Sequence, residues 1–337
     1  MYNYTEEEVE NIINITKKYE ADNFLKPSLY LISGVIMYGG GIYLLYLSTK
    51  IDNILFTIIS VLLLSLLFIR NFMIFHDLGH SNYFPSKERQ DNKEGLNTFL
   101  CETLDFIFFF PGRSWRLGHK DHHKVHGDID SYDHGRTIRW TTEEYEKTSV
   151  LNQYLYDIFR HPLLFFTLAP IYIFILQHVI DFNYIYFTKL SIFLFLIYKI
   201  FNVKTLILFG ISLFFATLFG LILFHLQHSI NEPFWKSFDI ENDYNSKMNA
   251  ELNGSSVLKI PLFLKPFTNG IEYHNVHHLN PGVPSYNIKK CYEELRSKDL
   301  LKNREIDLNE MLESLTYTIY DNTSNKYIYH YNKKKVE

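Results

Sequence analysis

Eight histidines fall into three tight groups: His76 and His80 in the run HDLGH, His119, His122 and His123 in HKDHH, and His274, His277 and His278 in HNVHH. On a helix, residues three or four apart share a face, with Cβ atoms about 5–6 Å apart. Each group can therefore aim two or three imidazoles at one point. Neutral imidazole is a good ligand for iron, zinc and copper. Three converging groups offer more donors than one ion can hold, so the pattern asks for two metals.

Which metals follows from ligand type and number. Zinc sites close with four ligands, or keep three and a water for catalysis. Nine imidazoles, counting His228 at the end of an apolar run considered below, exceed either kind. Soluble di-iron proteins pair Glu ligands with Glu-x-x-His motifs, and no Glu-x-x-His occurs in this chain. A di-iron centre held almost wholly by histidine fits best, and its purpose is oxygen activation. Two irons can share the reduction of dioxygen and generate an oxidant able to take hydrogen from an unactivated carbon. An intramembrane zinc metalloprotease is the rival reading. HDLGH is one methylene short of HExxH, with Asp77 where a protease places its general-base Glu. That reading leaves both HxxHH groups unexplained. A metal transporter would place its ligands at mid-bilayer depth on discontinuous helices, whereas these groups lie beyond the ends of apolar runs.

The elements that position the histidines are mostly hydrophobic. The 337 residues are 47% hydrophobic and 17% aromatic, yet 21% charged, which suits a membrane protein with a substantial polar cap. A net charge of −4 implies no nucleic-acid partner. Cys101 and Cys291 form no CxxC, which argues against a disulfide framework or a cysteine zinc site. The chain opens with Thr5-Glu6-Glu7-Glu8, an N-cap followed by acids, and Val9, Ile12 and Ile13 stripe the ensuing helix. Residues 1–26 read as an N-terminal amphipathic segment before a single domain over 27–337.

Residues 27–48 and 54–75 are long enough to span a bilayer. The second run continues without a breaker into His76–His80. If helical throughout, residues 54–80 measure about 40 Å against a hydrocarbon core of about 30 Å. The first histidine pair then rides one or two turns above the membrane. Residues 203–225, extended to His228, reach a similar height, which adds His228 as a ninth candidate ligand. A patch at 98–110 holds Glu102 and Asp105 and reads as an interfacial helix, with the aromatic run 106–110 as an interface anchor. Between the second and third groups lie 162–180, interrupted by Pro170, and 184–202, which carries Lys189. Parity demands that one of them not cross. The expectation is an all-α integral membrane protein with four spans, near 27–48, 54–75, 184–202 and 203–225, and with 162–180 interfacial. Twelve Lys and Arg lie between Arg70 and Arg160, against one Lys in the loop before Ile54. The positive-inside rule then places the histidine cap and both termini in the cytosol.

At this point the residues resemble the membrane fatty acid desaturase family, in its acyl-lipid branch. That family has three histidine boxes of the form HxxxH, HxxHH and HxxHH, matched here by the eight histidines. Ser114-Trp115-Arg116, the segment from Trp140 to Tyr145, Gln227-His228, Gly254-Ser255-Ser256 and Tyr273 to Leu279 are similar to its surrounding text. The resemblance implies that all nine histidines ligate two irons, with dioxygen as oxidant. It implies a fatty acyl lipid as substrate and a separate electron donor, a ferredoxin or a small b-type cytochrome with its reductase. Asp77 would orient an imidazole through its free N–H. Lipid hydroxylases use the same boxes and are the alternative outcome. Glu272 stands where relatives usually have Gly, and the third box opens with His274 rather than Gln, which makes the front-end desaturases a poorer match. His126 and His225 neighbour ligands and read as supporting residues, while His134, His161, His178 and His330 lack partners at ligand spacing.

Overall fold

In chain order the principal helices are α1 (Glu6–Thr16), α2 (Leu25–Ser48), α3 (Ile54–Gly79), α4 (Leu96–Phe108), α5 (Gly112–Val125), α6 (Val150–Arg160), α7 (Pro162–Ile171), α8 (Tyr184–Ile200), α9 (Val203–His228), α10 (Tyr244–Asn253), α11 (His274–Leu279) and α12 (Ser285–Ser297). The computed structural model describes residues 2–91, 93–131, 139–173, 180, 183–229, 234–237, 239, 243–302 and 305–330. It is mostly helical. Two minor strand pairs depart from an all-α expectation: β1 (Val257–Leu258) beside β2 (Glu305–Ile306), and β3 (Ile319–Asp321) beside β4 (Lys326–Ile328). Strands of two or three residues are too short to show an alternating pattern.

Among the described residues, three helices, α2, α3 and α9, are long and apolar enough to cross a membrane. Side chains of Asn53 and Asn202 cap α3 and α9 by accepting from Phe56 N at 3.0 Å and Thr205 N at 2.8 Å. Each cap satisfies an amide that the first turn leaves without a helical partner. The α2–α3 seam is close because α2 presents glycine to it. A Cβ at Gly34 would lie 2.6 Å from Asn71 Oδ1, and one at Gly41 would lie 2.9 Å from Leu67 Cδ1. Ser65 Oγ donates to Ser212 O at 2.9 Å and ties α3 to α9.

Helix α8 is shorter, at 17 residues or about 26 Å, yet it runs between both ends of this bundle. Near its start Lys189 meets Asp105 of α4 at 2.6 Å and donates to Glu102 O. Past its end Phe201 packs on Tyr46, and Asn202 donates to Thr49 at 3.1 Å beside the α2 terminus. The charge that made this segment doubtful as apolar sequence is thus paired. Helix α7 instead packs at the histidine end of α9, with the Phe166 ring 5.4 Å from that of His225. The remainder of the 162–180 run, at 174–179, lies outside the described residues.

The aromatic run 106–110 at the end of α4 differs from the expected interface anchor. Phe108 and Phe109 are buried, Phe108 against Phe75 and Phe109 against Phe68 and Phe209. Phe109 takes the left-handed backbone that ends α4, which turns its ring inward among the long helices.

Above the bundle, α1, α10, α11 and α12 share one core of Val9, Ile12, Leu252, Val276, Ile288 and Leu295. Thr5 and Glu8 close a reciprocal capping box at the start of α1. The N-terminal segment therefore packs on the protein. Its extended start also holds α10: Asn249 accepts from Tyr4 N at 2.7 Å and donates to Tyr4 O at 2.9 Å, and Asn253 donates to Tyr2 O at 3.0 Å.

Candidate metal centre

Four helix segments bring the imidazoles together. His76 lies in the last turn of α3 and His80 is its C-cap, so the two share a face. Helix α5 directs His119, His122 and His123 inward. His228 ends α9, and the short α11 carries His274, His277 and His278. Donor atoms of His76, His80, His119 and His277 lie within 4.8 Å of one another, as do those of His122, His228 and His278. His123 joins the first group, with its Nε2 3.3 Å from His119 Nε2 and 3.0 Å from His277 Nε2. His274 joins the second, with its Nε2 3.0 Å from His228 Nε2 and 3.1 Å from His278 Nε2. All nine histidines singled out by sequence thus meet, five in one group and four in the other.

These contacts are not a hydrogen-bond chain. An imidazole nitrogen offers one N–H or one lone pair. His119 Nε2, however, faces both His76 Nε2 at 3.0 Å and His123 Nε2 at 3.3 Å. Ligands at right angles and about 2.1 Å from a metal have neighbouring donors about 3.0 Å apart. The spacing is that of a coordination shell. Burial holds His119, His123, His274, His277 and His278 well below the ordinary imidazole range, so their lone pairs are free of protons. An all-nitrogen, uncharged donor set of this size suits iron in two adjoining positions.

The surroundings orient the rings. Asp77 is buried, with Oδ1 3.2 Å from His76 Nδ1, and its Oδ2 accepts from Ser285 N at 2.7 Å at the start of α12. Trp115 stacks on His119 at 4.7 Å. Gly79 makes room for it, since a Cβ there would lie 2.4 Å from the indole. Phe224, one turn before His228, places its ring 4.9 Å from that imidazole.

Sequence spacing missed one group of contacts. Glu251 of α10 is 3% exposed, and its Oε2 lies 2.9 Å from His278 Nδ1 and 3.2 Å from His126 Nδ1. Its only local signal is its place three residues before Gly254-Ser255-Ser256. Burial lowers His126 to about 4, partly offset by a hydrogen bond with the Gly254 backbone. His225 turns away from the cluster: its Nε2–H donates to Ser314 O at 2.7 Å, and Nδ1 accepts from Arg139 at 2.9 Å. His330 packs on Tyr145, and His134 and His178 lie outside the described residues. Glu272 is buried and accepts from Thr268 Oγ1 at 2.7 Å, which satisfies one carboxylate oxygen.

Among the described residues, then, a cap of histidines that could hold metal ions sits at the ends of helices long and apolar enough to cross a membrane. The sequence pattern of the fatty acid desaturase family matches residues 53–306, and the chain belongs to that family. A fatty acid desaturase of Bacillus subtilis (strain 168) is 28% identical over 314 residues, covering 89% of this chain and 84% of the relative. An sn-1 oleoyl-lipid 12-desaturase of a Picosynechococcus species is 26% identical over 238 residues, 67% of this chain and 65% of its own length. An sn-1 acyl-lipid omega-3 desaturase (ferredoxin) of a Nostoc species is 24% identical over 152 residues, 44% and 39% of the two chains.

Proposed function

We propose that this fatty acid desaturase is an oxygen-dependent di-iron enzyme that places a double bond in the acyl chain of a membrane lipid. The convergence of nine imidazoles into two adjoining groups carries the reading. His76, His80, His119, His123 and His277 would hold one iron, and His122, His228, His274 and His278 the other. When bound, the iron pair supplies reductive activation of dioxygen. The chain's own residues keep the donor nitrogens deprotonated by burial, and Asp77 would hold His76 Nδ1–H and so leave Nε2 to bind iron. Trp115 stacks on His119 and Phe224 packs against His228, which steadies those two rings.

Two adjacent methylenes lose one hydrogen each, and dioxygen with two electrons and two protons becomes two waters. A separate carrier would deliver those electrons. The Nostoc relative's name supports a ferredoxin; a small b-type cytochrome with its reductase is the other source of the same chemistry. The names of the Picosynechococcus and Nostoc relatives support an acyl-lipid substrate.

Four crossings, α2, α3, α8 and α9, complete this reading, with α7 peripheral. It is supported by the contacts of α8 at both ends of the bundle. The excess of Lys and Arg on the histidine side supports a cytosolic cap with both termini on that side. Residues 27–337 form one desaturase domain, onto which the 1–26 segment packs. The test is lipid analysis after expression in a host lacking its own desaturase, with metal analysis of the purified protein. A new double bond and about two irons per chain are expected. A new hydroxyl would make the protein a lipid hydroxylase. One zinc with unchanged lipids would favour the metalloprotease reading of HDLGH.

A further inference from the structure

We propose that Glu251 is the positioning residue for the second half of the centre, with His126 as its brace; this rests on the two-metal reading above. In a histidine that binds metal through Nε2, an acceptor on Nδ1–H selects the tautomer and fixes the ring's rotation. His278 has that acceptor in Glu251 Oε2 at 2.9 Å. The same oxygen accepts from His126 Nδ1 at 3.2 Å, and the His126 ring lies against that of His278 with centroids 4.1 Å apart. All three side chains are buried. Gly254 shapes the cradle: a Cβ there would lie 2.7 Å from His126 Cε1 and 2.6 Å from Ala250 O, so any larger residue would displace the brace.

The helix carrying Glu251 is itself held. The main chain of Tyr4 makes paired hydrogen bonds with Asn249, and Tyr2 O accepts from Asn253. These contacts flank Glu251 along α10 by two residues on each side. Residues 2–4 lie outside the region matched to the family, 53–306, yet they fix the element that aims His278. Loss of Glu251 would leave His278 Nδ1–H without its acceptor and the ring free to rotate, while the His76 side, oriented by Asp77, would be unaffected.

The test is an anaerobic Fe²⁺ titration of the full-length metal-free protein, read by ⁵⁷Fe Mössbauer spectroscopy, for wild type, Glu251→Ala and Glu251→Gln. Glu251→Ala should weaken one of two irons by about 10–100-fold, the usual effect of removing such a partner, and leave the other iron's affinity and signal unchanged. Glu251→Gln keeps an acceptor oxygen in the same volume but loses the charge that strengthens both hydrogen bonds, so it should recover only part of the loss and still release one iron to a chelator faster than wild type. Two irons bound with wild-type affinity in Glu251→Ala, or both weakened equally, would overturn the proposal. Glu251→Gln preserves the shape of the core, so it decides the matter if the alanine variant does not fold: unaltered signals and affinity for both irons, with no increase in iron loss to a chelator, would also overturn it. A wild-type protein that takes one zinc instead would defeat the di-iron reading. The role of Glu251 would then be judged by the same fold-change in zinc affinity.

Discussion

The two halves of the histidine cluster use the same device but build it differently. In the first, the carboxylate lies inside the motif: Asp77 follows His76 directly and reaches its Nδ1 at 3.2 Å. In the second, the carboxylate comes from another helix, 27 residues before the imidazole it contacts. Asp77 spends its second oxygen on Ser285 N and so couples α3 to α12. Glu251 divides one oxygen between two rings. A local acid is inherited with the helix that carries the ligand, whereas a distant one depends on the whole cap being assembled. The second half should therefore be the more sensitive to damage remote from the metals.

The largest effects should come from the proposed ligands. His277→Ala removes a donor from the first half and His228→Ala from the second, and each should reduce unsaturated product by at least about 100-fold, measured by gas chromatography of host lipids. Product at wild-type level from His228→Ala would shrink the second half to three donors. His225→Ala, one turn earlier on the same helix, loses bonds to Ser314 and Arg139 and should cost only stability, about 1–3 kcal/mol.

Lys189→Met would leave Asp105 buried without its cation, at a cost of about 3–5 kcal/mol seen in thermal unfolding. Because Lys189 is bonded to Asp105 and Glu102 rather than to the histidines, iron content should stay at the wild-type ratio; selective loss of one iron would show that the halves are coupled through the bundle. Next in size is Asp77→Asn, which should weaken the first-half metal by about 10–100-fold and spare the second, the mirror image of the Glu251 result.

A pH series gives the smallest separation. Burial depresses the imidazoles of both halves below the value of about 6.5 that they regain on unfolding. The folded state then binds fewer protons than the unfolded one. Their contribution to the stability of metal-free protein is fully present above about pH 6.5 and is lost as pH falls toward the lowered folded-state values. Unfolding midpoints measured from pH 8 to 5 should fall with acidification; a flat profile would show that the cluster opens to water without metal.

The sequence by itself determined the chemistry. Ligand spacing of three and four within a helix is a local property, so the three boxes were legible without any knowledge of how they meet. Run lengths placed His76, His80 and His228 at helix ends, and α3 and α9 extend to those residues as expected. The capping residue Thr5 follows from the same short-range physics. Tertiary structure alone decided what lies across elements. It divided the nine imidazoles into five and four, and turned His225 toward Ser314. It also paired Lys189 with Asp105, drew Phe109 into the bundle and brought Glu251 to His278. Each of these is a contact between residues far apart in the chain, set by packing and by the cost of leaving a buried polar group without a partner, and no periodicity along the sequence encodes it.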